Sequence, residues 1–326
     1  MSITKRDFGV TADGRAVTCW RMENTSGAAV EVLDFGATTR CVQVPDGNGK
    51  LRSILKGFDT IEEYEACDYY PGAVVGRHAG RIGAGKFELN GVRYELACND
   101  GPNHLHGGTQ GYSHKVWNAE TDGDKLVFSY TSPDGEEGYP GTLTISATYE
   151  WTGDTTLQLT VDAICDKDTI ASFTHHGYWN LSGEDTVGNH LFQVHASTVV
   201  EADENILATG GFMDVEGTPF DFRTPVALGS VWNSDHPRIV PNCGFDNTFP
   251  VPGEGMRELG SFAASDMKLT ISSTLPTLHI YTGRFTHAAL EPQFIPDAIH
   301  HPNFPSTVLP AGERWHHVME FKITNI

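Results

Sequence analysis

Positive charge is scarce in this chain. Lys and Arg total 22 of 326 residues against 42 Asp and Glu, for a net charge of −20. A field of that sign repels nucleic acid and anionic membrane, which excludes both as partners. No dense Lys/Arg cluster is present either. A phosphorylated substrate would need one, and only Arg77, Arg81 and Arg284 are obvious candidates. No apolar run approaches the roughly 20 residues of a membrane-spanning helix. Residues Met1 to Phe8 lack the apolar centre of a signal peptide. Cys19, Cys41, Cys67, Cys98, Cys165 and Cys243 are scattered without a Cys-x-x-Cys pair. In a chain this long they read as reduced, mostly buried thiols, and the expected compartment is the cytoplasm. Helical patterns are also rare. Ile61-Glu62-Glu63-Tyr64 is expected to make a single turn.

What is present is strand. The hydrophobic fraction of 39% and aromatic fraction of 10% suffice for a large core. Lys86–Leu89 and Val92–Leu96 flank Asn90-Gly91, a strong hairpin signal because both turn positions need φ > 0. Leu126–Tyr130 is another strand, punctuated by Pro133-Asp134-Gly135. Alternating apolar positions follow at Leu143–Tyr149, Leu157–Ala163, Leu269–Ile271, Leu278–Ile280 and Met319–Ile323. With 35 Gly and 17 Pro for tight connections, and no linker or repeat, the pattern predicts one antiparallel all-β domain over 1–326. Length alone permits two domains, but all-β units often exceed 200 residues.

Five stretches can carry chemistry. In Thr174-His175-His176-Gly177-Tyr178-Trp179-Asn180, strand alternation points the two histidines to opposite faces and puts Tyr178 with His176. An imidazole there can exchange a proton near neutrality, or simply hydrogen-bond at a sheet edge. In Asn99–Gly108, His104 and His106 are two apart and expected to share a face; His-x-His is also metal-ligand spacing, though no third ligand is marked. Gly76-Arg77-His78-Ala79-Gly80-Arg81 carries two arginine forks, one of them expected to be structural and paired to a core carboxylate. Asp246, between Phe245 and Phe249, suits sugar hydroxyls or a local turn. Glu291 precedes a stiff segment with prolines at 292, 296, 302 and 305, which predicts neither helix nor central strand there. It is a candidate general base, or one half of a structural ion pair.

In order along the chain, Gly-Arg-x-Ala-x-Arg-Ile, His-Leu-His-Gly-Gly, Thr-His-His-Gly-Tyr-Trp-Asn-Leu, Gly-Phe-Asp-Asn-Thr-Phe, Leu-Glu-Pro-Gln…His-Pro-Asn-Phe-Pro-Ser and Leu-Pro-Ala-Gly-Glu together resemble the aldose 1-epimerase family, the galactose mutarotases. The resemblance runs from about Gly76 to the C-terminus. It implies a large β-sandwich, no metal, no cofactor, and anomer exchange of free aldoses by a monomer or homodimer. Carried over by residue, it implies His176 as general acid, Glu291 as general base, and His106, Arg81, Asp246, Gly177 and Tyr178 as sugar-binding positions. Two positions depart. Gly80 stands where the family usually has Asn, and His279 where it usually has Gln; the expectation is that Gly80 leaves room for a water. A broader sugar preference follows as an expectation. Rival readings are a sugar-binding module without turnover, a hexose-6-phosphate epimerase of the same fold, and a metal enzyme.

Overall fold

The computed structural model describes residues 1–236, 239, 244–283 and 285–326; Cys243 and Arg284 lie outside them. Three sheets dominate. A nine-stranded antiparallel sheet runs in the order Asn118–Asp122, Lys125–Ser132, Leu143–Gly153, Thr156–Cys165, Arg314–Asn325, Met267–Ser273, Arg257–Ala263, Leu191–Val194, Val226–Ala227. The first five segments paired from the N-terminus, Ser2–Val10 to Leu51–Ser53, make a second sheet in sequential order. A third, four-stranded sheet joins Tyr178–Trp179, Ala288–Gln293, Thr277–Tyr281 and Asp246–Pro250.

Alternation explains their packing. Leu143, Ile145, Ala147 and Tyr149 pair across the sheet with Cys165, Ala163, Val161 and Leu159, and all are buried. The next strand continues the stripe with Trp315, Met319 and Phe321. These side chains share one core with Val30, Val32, Val42 and Val44 from the N-terminal sheet and Phe249, Leu278, Ile280 and Leu290 from the four-stranded one. Asn90 and Gly91 turn the expected hairpin at φ of 54° and 73°. Among the described residues the α-helix is the short Ile61–Glu65, closed by a Thr60/Glu63 capping box. No helix among them is long and apolar enough to cross a membrane.

Three expectations need correction here. Pro292 does lie in a central strand, opposite Leu278. This is possible because, on the strand Ala288–Gln293, Tyr178–Trp179 pairs with Ala289 and Ala288 and does not reach Pro292, so no ladder bond to that segment is demanded of it. Arg77 is structural, but its partners are not a carboxylate. Its fully buried guanidinium donates to the carbonyls of Pro140 (2.7 Å) and Gly141 (3.1 Å) and to Ser132 Oγ (2.7 Å). Of the five described cysteines, Cys19 and Cys165 are buried, Cys41 and Cys67 half-buried and Cys98 exposed.

Candidate active site

The four-stranded sheet has one face in the core and one on a cavity. Pleating does the sorting. On the cavity face, Tyr178, Ala289, Tyr281 and Asp246 form one cross-strand row. Glu291, His279 and Thr248 form the next. The cavity measures about 290 Å³, and Glu291, His176, His106, Arg81, Asp246, His279, Tyr178 and Gly80 all line it. Residues read from separate stretches of the sequence therefore converge.

His175 and His176 part as alternation requires. His175 turns into the core, its Nε2 2.9 Å from Thr39 Oγ1 and its ring against Phe321. His176 stacks on Tyr178 at 5.1 Å between centroids. Its Nε2 lies 3.6 Å from Glu291 Oε1, close for an ion pair but long for a hydrogen bond. Gly177 does not line the cavity; it packs toward the His175 ring.

His104 and His106 do not share a face. The strand holds only His104 and Leu105, and His106 has a left-handed φ of 52°, which ends the alternation. His104 is buried between Ala97 O (2.8 Å) and Tyr139 Oη (2.6 Å). His106 faces the cavity, and its Nδ1 accepts from the Gly80 amide at 3.2 Å. That bond leaves Nε2 as the protonated nitrogen of a neutral ring, free to donate into the cavity. Of the remaining pair in the arginine motif, His78 is fully buried away from the cavity, and Arg81 enters it. Arg81 Nε binds Asp100 Oδ2 at 2.7 Å, and its Nη1 is 3.7 Å from Asp246 Oδ2. Asp246 Oδ1 in turn lies 3.1 Å from His279 Nε2.

Burial governs the proton affinities. It pushes the Glu291 carboxyl up to about 7 and the His176 imidazole down to about 3. It also holds His106 well below its ordinary value, with the neighbouring His176 and Arg81 adding to the effect. Burial would raise Asp246, but the bond from His279 and the charge of Arg81 together outweigh it, and the carboxyl lies below its usual range. Among the described residues, no group of three or more His, Cys, Asp or Glu is arranged to hold a metal ion.

The reading from sequence missed Asp68, Tyr69, Tyr70, Asp100, Ile206, Tyr281, Gln293 and Pro296, which also line the cavity. Tyr281 was within reach by parity, two residues beyond His279 on one strand. Tyr70 and Ile206 had no such signal. Each lines the cavity from a left-handed φ, at 58° and 59°, a conformation alternation does not foresee.

Gly80 corrects an expectation. The direction in which a side chain would leave the backbone there is already filled. A Cβ on Gly80 would meet Pro296 Cγ at 2.7 Å, and φ is +76°. The ring of Pro296 occupies the place an amide would take. Gly80→Asn is therefore expected to lower stability by about 1–3 kcal/mol, the usual effect of overpacking. Adding Pro296→Ala should recover part of that loss. Thermal midpoints of the single and double variants test it; a single variant as stable as the parent would contradict the crowding.

A family model described as aldose 1-epimerase matches residues 18–322. A protein named galactose mutarotase from Bos taurus is 33% identical, with 99% of each chain covered. One named aldose 1-epimerase from Escherichia coli K12 is 30% identical over 95% of this chain and 96% of that one. Among solved structures, a galactose 1-epimerase from Lactobacillus acidophilus superposes with a TM-score of 0.89 at 26% identity, covering 100% of this chain and 99% of that one.

Proposed function

This chain belongs to the aldose 1-epimerase family and is an isomerase that interconverts the α and β anomers of free aldoses; we propose that Glu291 and His176 perform the exchange, with D-galactose and D-glucose among its substrates. One observation carries the assignment of roles: the approach of His176 Nε2 to within 3.6 Å of Glu291 Oε1 at the cavity wall. An acid and a base side by side suffice, because O1 and O5 are both bonded to C1.

Ring opening requires the O1 proton to leave as the C1–O5 bond breaks and O5 gains a proton. Glu291 as carboxylate takes the first proton, and His176 as imidazolium gives the second. His106, neutral, donates Nε2–H to oxygen as charge moves across the sugar. Rotation about C1–C2 then presents the other aldehyde face. Reclosure reverses the two proton transfers. Asp246 and Arg81 hold hydroxyl groups away from the reacting carbon, and Tyr178 supports the His176 ring. The reading takes residues 1–326 as one domain, supported by a core that runs from Met22 to Ile323.

A phosphorylated hexose fits this cavity poorly. Asp68, Asp100, Asp246 and Glu291 line it, Arg81 is tied to Asp100, and the Arg77 fork is spent on buried carbonyls. A neutral aldose meets no such repulsion. Neither departure from the family pattern supplies a direct amide contact to the sugar. Pro296 crowds Gly80, and both nitrogens of His279 are engaged by protein. Each lost hydrogen bond is worth roughly 0.5–1.5 kcal/mol, up to about tenfold in affinity. A broad sugar range follows. Polarimetric kcat/KM values for galactose, glucose, arabinose, xylose and fucose should lie within about a hundredfold; galactose exceeding all others by more would refute it.

Glu291→Gln and His176→Gln are each expected to lower kcat by at least about 10²-fold, the usual size of a lost acid or base. Polarimetry of freshly dissolved α-D-galactose and α-D-glucose measures it, and near-normal turnover in either folded variant would end the assignment.

The pH profile follows from the pair. With Glu291 up at about 7 and His176 down at about 3, the two groups hold a single proton between those values. The working arrangement, carboxylate beside imidazolium, is the less populated placement of that one proton. Above about pH 7 the proton is lost. So kcat/KM should hold steady on the acid side of neutrality and fall as pH rises through it, by up to about tenfold per unit. A rate that rises through this range instead would show that His176 does not act as a protonated acid.

A further inference from the structure

Between the proposed base and the sugar-binding carboxylate stands His279. Its place follows from register: it is the cross-strand partner of Glu291 on one side and of Thr248 on the other. Both ring nitrogens are engaged. Nδ1 lies 2.8 Å from Thr248 Oγ1, and Nε2 lies 3.1 Å from Asp246 Oδ1. A glutamine in this position would offer an amide to the same surroundings but could not carry charge. An imidazole can.

The surroundings favour the proton. Asp246 faces the ring from one neighbouring strand and Glu291 from the other, and Asp68 and Asp100 line the same cavity. Among the described residues that line the cavity, these four carboxyl groups are set against one guanidinium, Arg81, which Asp100 already binds, and the imidazoles of His106 and His176. Thr248 does not force a choice, since a hydroxyl can accept from Nδ1–H as readily as donate.

We propose that His279 is a positioning residue that works as an imidazolium, holding Asp246 through Nε2–H and biasing its cross-strand neighbour Glu291 toward the carboxylate form. The proposal rests on the reading of Glu291 as the base. Burial and Arg81 oppose a charge on His279, yet its bond to Asp246 and the nearby carboxylates lift it above its ordinary value. The same charge acts downward on Glu291, against the burial that raises it. Asp246 is left with its Oδ1 occupied and its Oδ2 directed toward Arg81. One carboxylate is thereby oriented by two cations without any side-chain bond from position 279 to the sugar.

Two measurements on the sugar-free protein test this. The first needs no variant: the ring ¹⁵N resonances of His279, assigned through contacts to Thr248, should show both nitrogens protonated at neutral pH. A neutral ring with one protonated nitrogen would overturn the proposal. The second follows the Glu291 carboxyl by infrared difference spectroscopy, identified as the band missing from Glu291→Gln. In His279→Gln its titration midpoint should move up by about one pH unit, the usual effect of removing one nearby opposite charge. A midpoint that stays or falls would also overturn it, and a merely structural His279 predicts that result. Neither readout involves turnover. If the roles of Glu291 and His176 were wrong, normal anomer exchange in their variants would reveal it while both proton measurements stood.

Discussion

The desolvation of Glu291 is the constraint on which the site depends. Its side chain is 2% exposed, so its charged form lacks the water that would ordinarily stabilise it. A carboxyl in that position holds its proton near neutrality and regains basicity only through what the protein supplies. The immediate supply is sparse. His176 approaches but does not bond, and Oε2 has no hydrogen-bond partner among the described residues. A carboxylate that is poorly solvated and poorly bonded is a strong base, which suits the role proposed for it in a reaction whose covalent events are proton transfers and the breaking and re-forming of one hemiacetal bond.

Placing such a group requires a support that does not yield. Glu291 sits in the middle strand pair of the four-stranded sheet, with Leu290 and Pro292 on the opposite, core-facing side. Close packing against Leu278, Ile280 and Phe249 holds the strand, and the strand holds the carboxyl. The same pleat presents His279, Asp246 and Tyr281 without a loop. Loops contribute the rest. Tyr70, His106 and Ile206 all reach the cavity from left-handed backbone, and strained conformations of this kind persist only where the surrounding structure over-determines them. Strands therefore carry Glu291, His279 and Asp246, while His176, in the connection between Thr174–His175 and Tyr178–Trp179, and the left-handed His106, Tyr70 and Ile206 come from outside the strands.

Charge is organised in alternation across that wall. Asp100, Arg81, Asp246 and His279 follow one another, each within reach of the next. In a low-dielectric cavity an unpaired member of such a row would be costly. Paired, the row fixes orientation without leaving a net positive patch, in keeping with the acidic character of the chain as a whole. The same economy explains why Arg77, four residues from Arg81 in the sequence, takes no part: its guanidinium is committed to carbonyls in the interior.

Alternation along strands was legible in the sequence and proved reliable. It predicted the antiparallel β architecture, the hairpin at Asn90-Gly91, the opposite orientations of His175 and His176, and the company of His176 with Tyr178. Period-two patterning is local, and a half-buried strand obeys it wherever it is placed. The ordered motifs likewise marked His106, Arg81, Asp246, His279 and Glu291 before any of them had a location. What the sequence by itself did not contain was distance. That Glu291 and His176, 115 positions apart, come within 3.6 Å depends on sheet register and core packing, which are properties of the whole chain. The separation of His104 from His106 turned on one backbone angle, and the filling of the space beside Gly80 turned on a proline more than two hundred residues away. Proton affinity belongs to the same class. Histidine and glutamate are ordinary groups in the sequence, and burial, which only the tertiary structure decides, makes one a weaker base and the other a weaker acid.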